Sequence, residues 1–284
     1  MDQATYAIPG RPASGGADGD LARLAARLPD AILLLEGAPA LETVRREAFE
    51  AGVAPSPVID FRARPAEESD IAVAGTDEAA VEEAAARAAP MLARLAELPR
   101  LNGVPDSEEL QVLAIAYLRE GEIRASLAPD RPEMVAYPRL CGLTEPRAVL
   151  DRLADADLLA RQFFDRLHQC GSCGSSRLNV REECPSCRAG HLAEESLVHH
   201  YRCAYQGLER EFLQGDRLIC PKCRRELRHY GVDYDRPGTA YHCNACGKTS
   251  SEPAVGFVCA DCGAHTAGED APRRDWYHYQ LTGE

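Results

Sequence analysis

The chain has 284 residues, a formal net charge of −13 and a hydrophobic share of 45%, of which little is aromatic. That length holds two or three ordinary domains. No apolar run approaches the roughly 20 residues that span a bilayer, so no membrane association is expected. The acidic balance argues against a surface that binds nucleic acid by releasing counterions along a positive face.

Residues 1–29 are rich in Gly, Ala, Pro and Asp, with Pro9-Gly10-Arg11-Pro12 and Ser14-Gly15-Gly16. They read as a flexible N-terminal segment with a short helix across Leu21–Leu28. The opening Met1-Asp2-Gln3-Ala4-Thr5-Tyr6 lacks the basic-then-apolar pattern of a secretory signal, so a reducing, cytoplasmic setting is expected.

Residues 30–100 alternate short apolar runs with helical stretches. Ala31–Leu35, Pro57–Phe61 and Ile71–Ala74 read as strands. Leu41–Ala51 and Asp77–Leu98 read as helices, the second capped by Thr76 or Asp77. The alternation predicts a small parallel α/β unit similar to a degenerate receiver or flavodoxin-like half. Glu36-Gly37 replaces the acidic pair expected after the first strand, and no helix separates the second strand from the third. Asp60 stands near a phosphoacceptor position, but a strand-end aspartate is the simpler reading.

Residues 107–169 predict a winged helix-turn-helix-like domain. Ser107 caps a helix through Arg119, with Val112, Leu113, Ala116 and Leu118 on its apolar face. A second helix begins at Thr144-Glu145-Pro146-Arg147 and turns Val149, Leu150, Leu153 and Ala154 inward. A further short helix ending at Leu158-Leu159 and a hairpin would then deliver the first cysteines. The segment carries 8 basic and 11 acidic residues, a poor field for DNA, so protein docking is favoured there. Cys141 is unpaired and reads as a buried structural thiol.

Residues 170–284 hold the strongest signal. Five Cys-x2-Cys pairs occur in one run: Cys170/Cys173, Cys184/Cys187, Cys220/Cys223, Cys243/Cys246 and Cys259/Cys262. His200 and Cys203 have the same spacing. A knuckle of this spacing puts two donors on one metal, and tetrahedral zinc needs two knuckles. Six half-sites therefore predict a zinc-ribbon module with three zinc ions. Eleven thiolates against three divalent ions would add −5 to a segment that is already at −2.

The ten residues between Cys173 and Cys184 suggest one short hairpin, hence a first site of Cys170/Cys173 with Cys184/Cys187. For the rest, two pairings compete. The favoured one joins Cys220/Cys223 to Cys243/Cys246 as a zinc ribbon and closes His200/Cys203 on Cys259/Cys262. The sequential alternative joins His200/Cys203 to Cys220/Cys223 and Cys243/Cys246 to Cys259/Cys262. His199 is expected to point away, and His242 and His265 to lie beside the sites. Were His200 not a ligand, Cys203, Cys259 and Cys262 would form an open zinc site, with Glu194 or Glu195 as general base for hydrolysis. Asp233, Tyr234 and Asp235 read as a polar turn. Lys222, Arg224, Arg225 and Arg228 form the basic cluster of the module. No phosphate loop, nucleophile elbow or Walker lysine is present, so no catalytic or cofactor-binding residue is assigned.

Cys170-Gly-Ser-Cys173, Glu182-Glu183-Cys184-Pro-Ser-Cys187, Leu197–Tyr205, Cys220-Pro-Lys-Cys223 and Gly231-Val-Asp-Tyr234, in this order, resemble the thaumarchaeal output domain family. The resemblance covers about residues 107–265 and departs from it at Ala204, where Gly is expected. It implies a metal-binding output module in prokaryotic signalling, joined to sensor or receiver-like domains, and no established reaction.

The expected architecture is α+β and multi-domain: a flexible segment over 1–29, a receiver-like unit over 30–100, a winged-helix-like domain over 107–169 and tandem zinc ribbons over 170–284. The expected function is regulatory output or adaptor work through a protein partner. The alternatives are a nucleic-acid-binding regulator and the zinc-dependent hydrolase.

Overall fold

The computed structural model describes residues 3–4, 6–10, 16–17, 19–66, 68–98 and 107–283. Among the described residues the chain is α+β, with six α-helices and several small sheets. It divides into two compact units, one of Met1–Arg131, Val135–Arg166 and Asp275–Glu284, the other of Pro132–Met134 and Leu167–Arg274.

In the first unit, Ile32–Leu34, Val58–Asp60 and Ile71–Ala72 form a parallel sheet, as three short apolar runs covered on both faces should. Alternation sends Leu33, Ile59 and Ile71 into one core with Leu21 and Leu24 of the helix Gly19–Arg27, with Leu28 just after it, and with Val81, Ala84 and Ala88 of the helix Glu78–Glu97. Asp77 caps the longer helix, its Oδ1 accepting from Ala80 N at 2.9 Å. Within the lead segment the helix Gly19–Arg27 forms where a short helix across Leu21–Leu28 is expected. Tyr6–Ala7 adds an antiparallel edge strand opposite Leu34 and Leu33, while Arg11-Pro12 and Ser14-Gly15 lie outside the described residues.

Asp60 is sequestered. Its buried carboxylate accepts from Arg62 Nε at 2.8 Å, from Arg62 N at 3.1 Å and from Ala66 N at 2.9 Å, which organises the loop after the strand. Those bonds and the Arg62 charge outweigh its desolvation and hold its pKa below the ordinary value.

The helix Glu108–Leu118 is capped by Ser107 and buries Val112, Ile115, Ala116 and Leu118. Buried Gln111 donates to Phe49 O at 3.0 Å and accepts from Ala54 N at 3.3 Å, tying this helix to the α/β layers. The Asp70 side chain, 3% exposed, accepts from Arg119 Nε and Nη2 at 2.7 and 2.6 Å and from Arg139 Nη1 at 3.2 Å. The helix Pro146–Asp155 buries Val149, Leu150, Leu153 and Ala154.

The expected short helix ending at Leu158-Leu159 does not form. Asp157 turns the chain at φ +60°, and Leu159–His168 runs as one long strand. Its neighbour in the sheet is Arg273–Leu281, followed by Glu122–Ile123, so no local hairpin forms. The second unit is inserted in sequence between these two long strands.

In that unit the chain goes out along two strands and returns along two others. Leu178–Glu183 pairs antiparallel with Ala254–Cys259, from Leu178 opposite Cys259 to Glu183 opposite Ala254. Leu192–His200 pairs with Thr239–Cys243, Leu192 facing Cys243, and then with Tyr205–Leu208. Each outgoing knuckle is thereby met by a returning one. Val198, Phe212, Cys220, Leu227 and Tyr234 form a small core around the innermost pair.

Candidate metal centres

All six knuckles are built alike. The residue after the second donor takes left-handed backbone: Gly174, Arg188, Ala204, Arg224, Gly247 and Gly263 have φ between +56° and +76°. Its N–H donates to the carbonyl of the first donor residue, at 2.9, 2.9, 2.9, 2.8, 2.8 and 3.0 Å respectively. Gly adopts this conformation without strain, which explains Gly247 and Gly263, whereas Ala204 adopts it against its Cβ.

The same turn aims backbone N–H groups at the first sulfur. Those of Cys173 and Ser172 bring the Cys170 thiol down to about 6, and those of Ser186 and Cys187 do the same for Cys184. Thiolate is the form that binds metal, and the backbone favours it at these two first sulfurs, while hydrogen bonds with the neighbouring cysteines push Cys173 and Cys187 up and burial pushes Cys220 up.

The twelve donors gather into three groups of four: Cys170, Cys173, Cys259 and Cys262; Cys184, Cys187, Cys243 and Cys246; and His200, Cys203, Cys220 and Cys223. Within each group the donor atoms lie within 4.8 Å of one another. Sulfurs from opposite knuckles of the two all-cysteine groups stand 3.6 to 3.7 Å apart. A disulfide needs about 2.05 Å. Tetrahedral zinc with bonds of about 2.3 Å puts its sulfurs about 3.8 Å apart.

In the third group His200 Nδ1 stands 3.2 Å from Cys203 Sγ and 3.4 Å from Cys223 Sγ, which makes Nδ1 the nitrogen facing the site. Burial lowers the His200 pKa and the Arg225 and Arg202 guanidiniums add to it, so the imidazole is kept neutral, as ligation requires. Each group could hold one metal ion, and the donor chemistry is compatible with zinc.

The pairing corrects the sequence reading. Cys170/Cys173 does not join Cys184/Cys187, Cys220/Cys223 does not join Cys243/Cys246, and His200/Cys203 does not close on Cys259/Cys262. Of the sequential alternative, His200/Cys203 with Cys220/Cys223 forms, but Cys243/Cys246 with Cys259/Cys262 does not. The cause is strand pairing. Leu178–Glu183 has no turn residue in its middle, so it crosses as one strand and takes a distant partner. The open site of Cys203, Cys259 and Cys262 cannot assemble, because Cys203 belongs to a different group from the other two. Glu194 and Glu195 are engaged elsewhere, by Thr239 Oγ1 at 2.9 Å and Arg210 Nη1 at 2.9 Å.

His199 pairs with Asp235 at 3.3 Å and His242 faces Thr249 Oγ1 at 3.4 Å. Asp233 accepts from the N–H groups of Arg228 and His229, each at 3.0 Å, and so closes the polar turn. Cys141 is partly buried, and burial raises its pKa.

Two features escaped the sequence reading. Glu183, buried beside Cys184, accepts from His265 Nε2 at 2.7 Å and Arg188 Nη1 at 3.0 Å, joining strands that belong to two different sites. Pro132 O accepts from Ser176 N at 2.7 Å and Ser175 Oγ at 3.1 Å, which draws residues 132–134 into the metal unit. The placement of Glu183 directly before Cys184 was its visible signal.

A family model, thaumarchaeal output domain 1, matches residues 101–281. The chain belongs to this family. The match takes in all three donor groups and reaches the closing strand Arg273–Leu281, beyond the stretch over which the motifs resemble the family. No curated protein and no solved structure matches this member of the output-domain family. No helix among its described residues is long and apolar enough to cross a membrane.

Proposed function

We propose that this output-domain protein is a cytoplasmic, zinc-binding regulatory adaptor of prokaryotic signal transduction. It carries three structural zinc ions and acts by docking a protein partner. The observation that carries the reading is the donor count: each group supplies four, which closes a tetrahedral site and leaves no position for water, as structural zinc sites do. Metal binding then fixes strand ladders and knuckles into a rigid surface.

In this reading the α/β layers act as a receiver-like input domain that no longer accepts phosphate, since Asp60 is occupied by Arg62. A second reading is a nucleic-acid-binding regulator with a winged-helix-like segment. It draws on the two helices at 108–118 and 146–155 and on the sheet order of 159–168, 273–281 and 122–123. The charge balance favours docking.

Affinity capture with the zinc-loaded chain, against the chelated chain and a labelled duplex, tests the proposal. A protein identified in the capture that rebinds in purified form only to the metal-loaded chain supports it. Retention of the duplex with no such protein sinks it.

A further inference from the structure

The innermost site differs from the other two in what surrounds its four donors. Its knuckles carry Tyr201-Arg202 and Pro221-Lys222 between donors, and Arg224-Arg225 directly after. All four cations are exposed, and none has a carboxylate in ion-pair range among the described residues; Lys222 Nζ donates to Cys203 O at 3.1 Å. At the outermost site the knuckles hold Gly171-Ser172 and Ala260-Asp261, and Arg177 is paired with Asp261 at 3.1 Å. At the middle site Arg188 is paired with Glu183, which leaves Lys248.

Neutralising bound thiolate does not explain the cluster. A divalent ion with four thiolates carries −2 and one with three thiolates and an imidazole carries −1 by simple charge count. The cations nevertheless gather at the less negative site.

Apolar surface lies beside them. Tyr201 is 43% exposed, Tyr230 64% and Val232 72%. They sit on segments that the backbone brings together: Tyr201 N donates to Asp233 O, next to Val232, at 3.1 Å, and the Tyr230 ring meets that of Tyr234 edge-on at 5.8 Å. Tyr234 in turn lies opposite His200 in the strand pair.

We infer that the innermost knuckle pair docks a short acidic segment of a protein partner, its carboxylates on Arg202, Lys222, Arg224 and Arg225 and an apolar side chain on Tyr201, Tyr230 and Val232. This rests on the docking reading and names the partner's chemistry. A nucleic-acid strand fits less well. Its affinity grows with the number of phosphates neutralised along a track, and four unpaired cations make a short one, the next arginine in the chain, Arg228, being paired with Glu226 at 2.7 Å. Unpaired Arg beside exposed Tyr is the composition of interface anchors.

Fluorescence anisotropy on the zinc-loaded full chain tests this with three labelled probes: a peptide alternating Glu with Leu and Phe, its Gln-for-Glu analogue, and single-stranded oligothymidylate. The acidic peptide is expected to bind, its affinity falling with salt and dropping about tenfold or more in R224Q/R225Q, and the Gln analogue to bind no better than that variant binds the acidic peptide. Tyr230→Ala, with unchanged zinc content, should weaken the same peptide. Equal binding by wild type and R224Q/R225Q, or by the two peptides, overturns the inference. Oligothymidylate bound through the same arginines overturns both the inference and the docking reading. Binding of neither acidic peptide nor oligothymidylate overturns the inference alone, since metal-dependent capture judges docking separately.

Discussion

Asp70→Asn removes the charge at the centre of the first unit. Asp70 is 3% exposed at its side chain and Arg119 2%, so neither partner can be rehydrated without opening the fold. Arg139, 44% exposed, can turn to water. Arg45, also buried, spends two of its donors on the carbonyls of Arg139 and Glu68 and contributes a further positive charge. Breaking a buried pair and leaving one charge uncompensated costs about 3–5 kcal/mol. For a unit of this size that is a loss of roughly 6–20 °C in Tm.

The chain has one tryptophan, and Trp276 is 3% exposed in the part of the closing strand that belongs to this unit. Its fluorescence in urea therefore reports this unit. Arg119→Met in the Asp70→Asn background should recover much of the loss, because the orphaned charge is what costs.

The pH dependence has a definite sign. Burial alone would raise the Asp70 pKa, but the charge and hydrogen bonds of Arg119 hold it below the ordinary 3.8. The stability it contributes is present in full above the unfolded value and is lost as pH falls through the depressed folded one. Asp70→Asn should flatten the Trp276 midpoint across that acid range. A loss below about 1 kcal/mol, less than removal of a single charged hydrogen-bond partner costs, would refute the reasoning.

Three further outcomes are expected. A Cβ on Gly256 would overlap the Glu183 carboxylate, so Gly256→Ala should cost about 1–3 kcal/mol and speed zinc release to a chromogenic chelator; unchanged release would show that the Glu183 junction does not hold the strands. Ala204→Gly relieves the φ of +56° and should stabilise the innermost site by about 1 kcal/mol, seen as slower zinc release; faster release would mean that the Cβ is better tolerated than the backbone angle suggests. Chelation should abolish amide protection in the second unit while Trp276 emission stays blue, since its surroundings, such as Arg147 stacked at 4.7 Å, owe nothing to metal; a concurrent red shift would contradict this.

What the sequence disclosed was what neighbouring residues decide. The twelve donors are legible because a knuckle is local: two donors, two residues between them, and a left-handed residue after them. Strands at 32–34, 58–60 and 71–72 and the caps Asp77 and Ser107 are legible for the same reason.

Pairing is not local. Whether Cys173 meets Cys187 or Cys259 depends on where Leu178–Glu183 finds its partner, and that lies some 75 residues away in sequence. One clue was available: ten residues separate Cys173 from Cys184 and twelve separate Cys246 from Cys259, the near-equal lengths that two antiparallel strands between matched knuckles require. The partner of Leu159–His168 escaped likewise, because the whole metal unit separates it from Arg273–Leu281.

The central claim is three nested sites, and zinc counting on one variant tests it most directly. Replacing Cys170, Cys173, Cys259 and Cys262 together with serine removes one complete site if the knuckles pair as the structure places them. The wild type should then hold three zincs and the variant two, by elemental analysis after exhaustive dialysis. Pairing of Cys170/Cys173 with Cys184/Cys187, and of Cys259/Cys262 with another knuckle, would instead break two sites. A variant that holds a single zinc would contradict the nested arrangement.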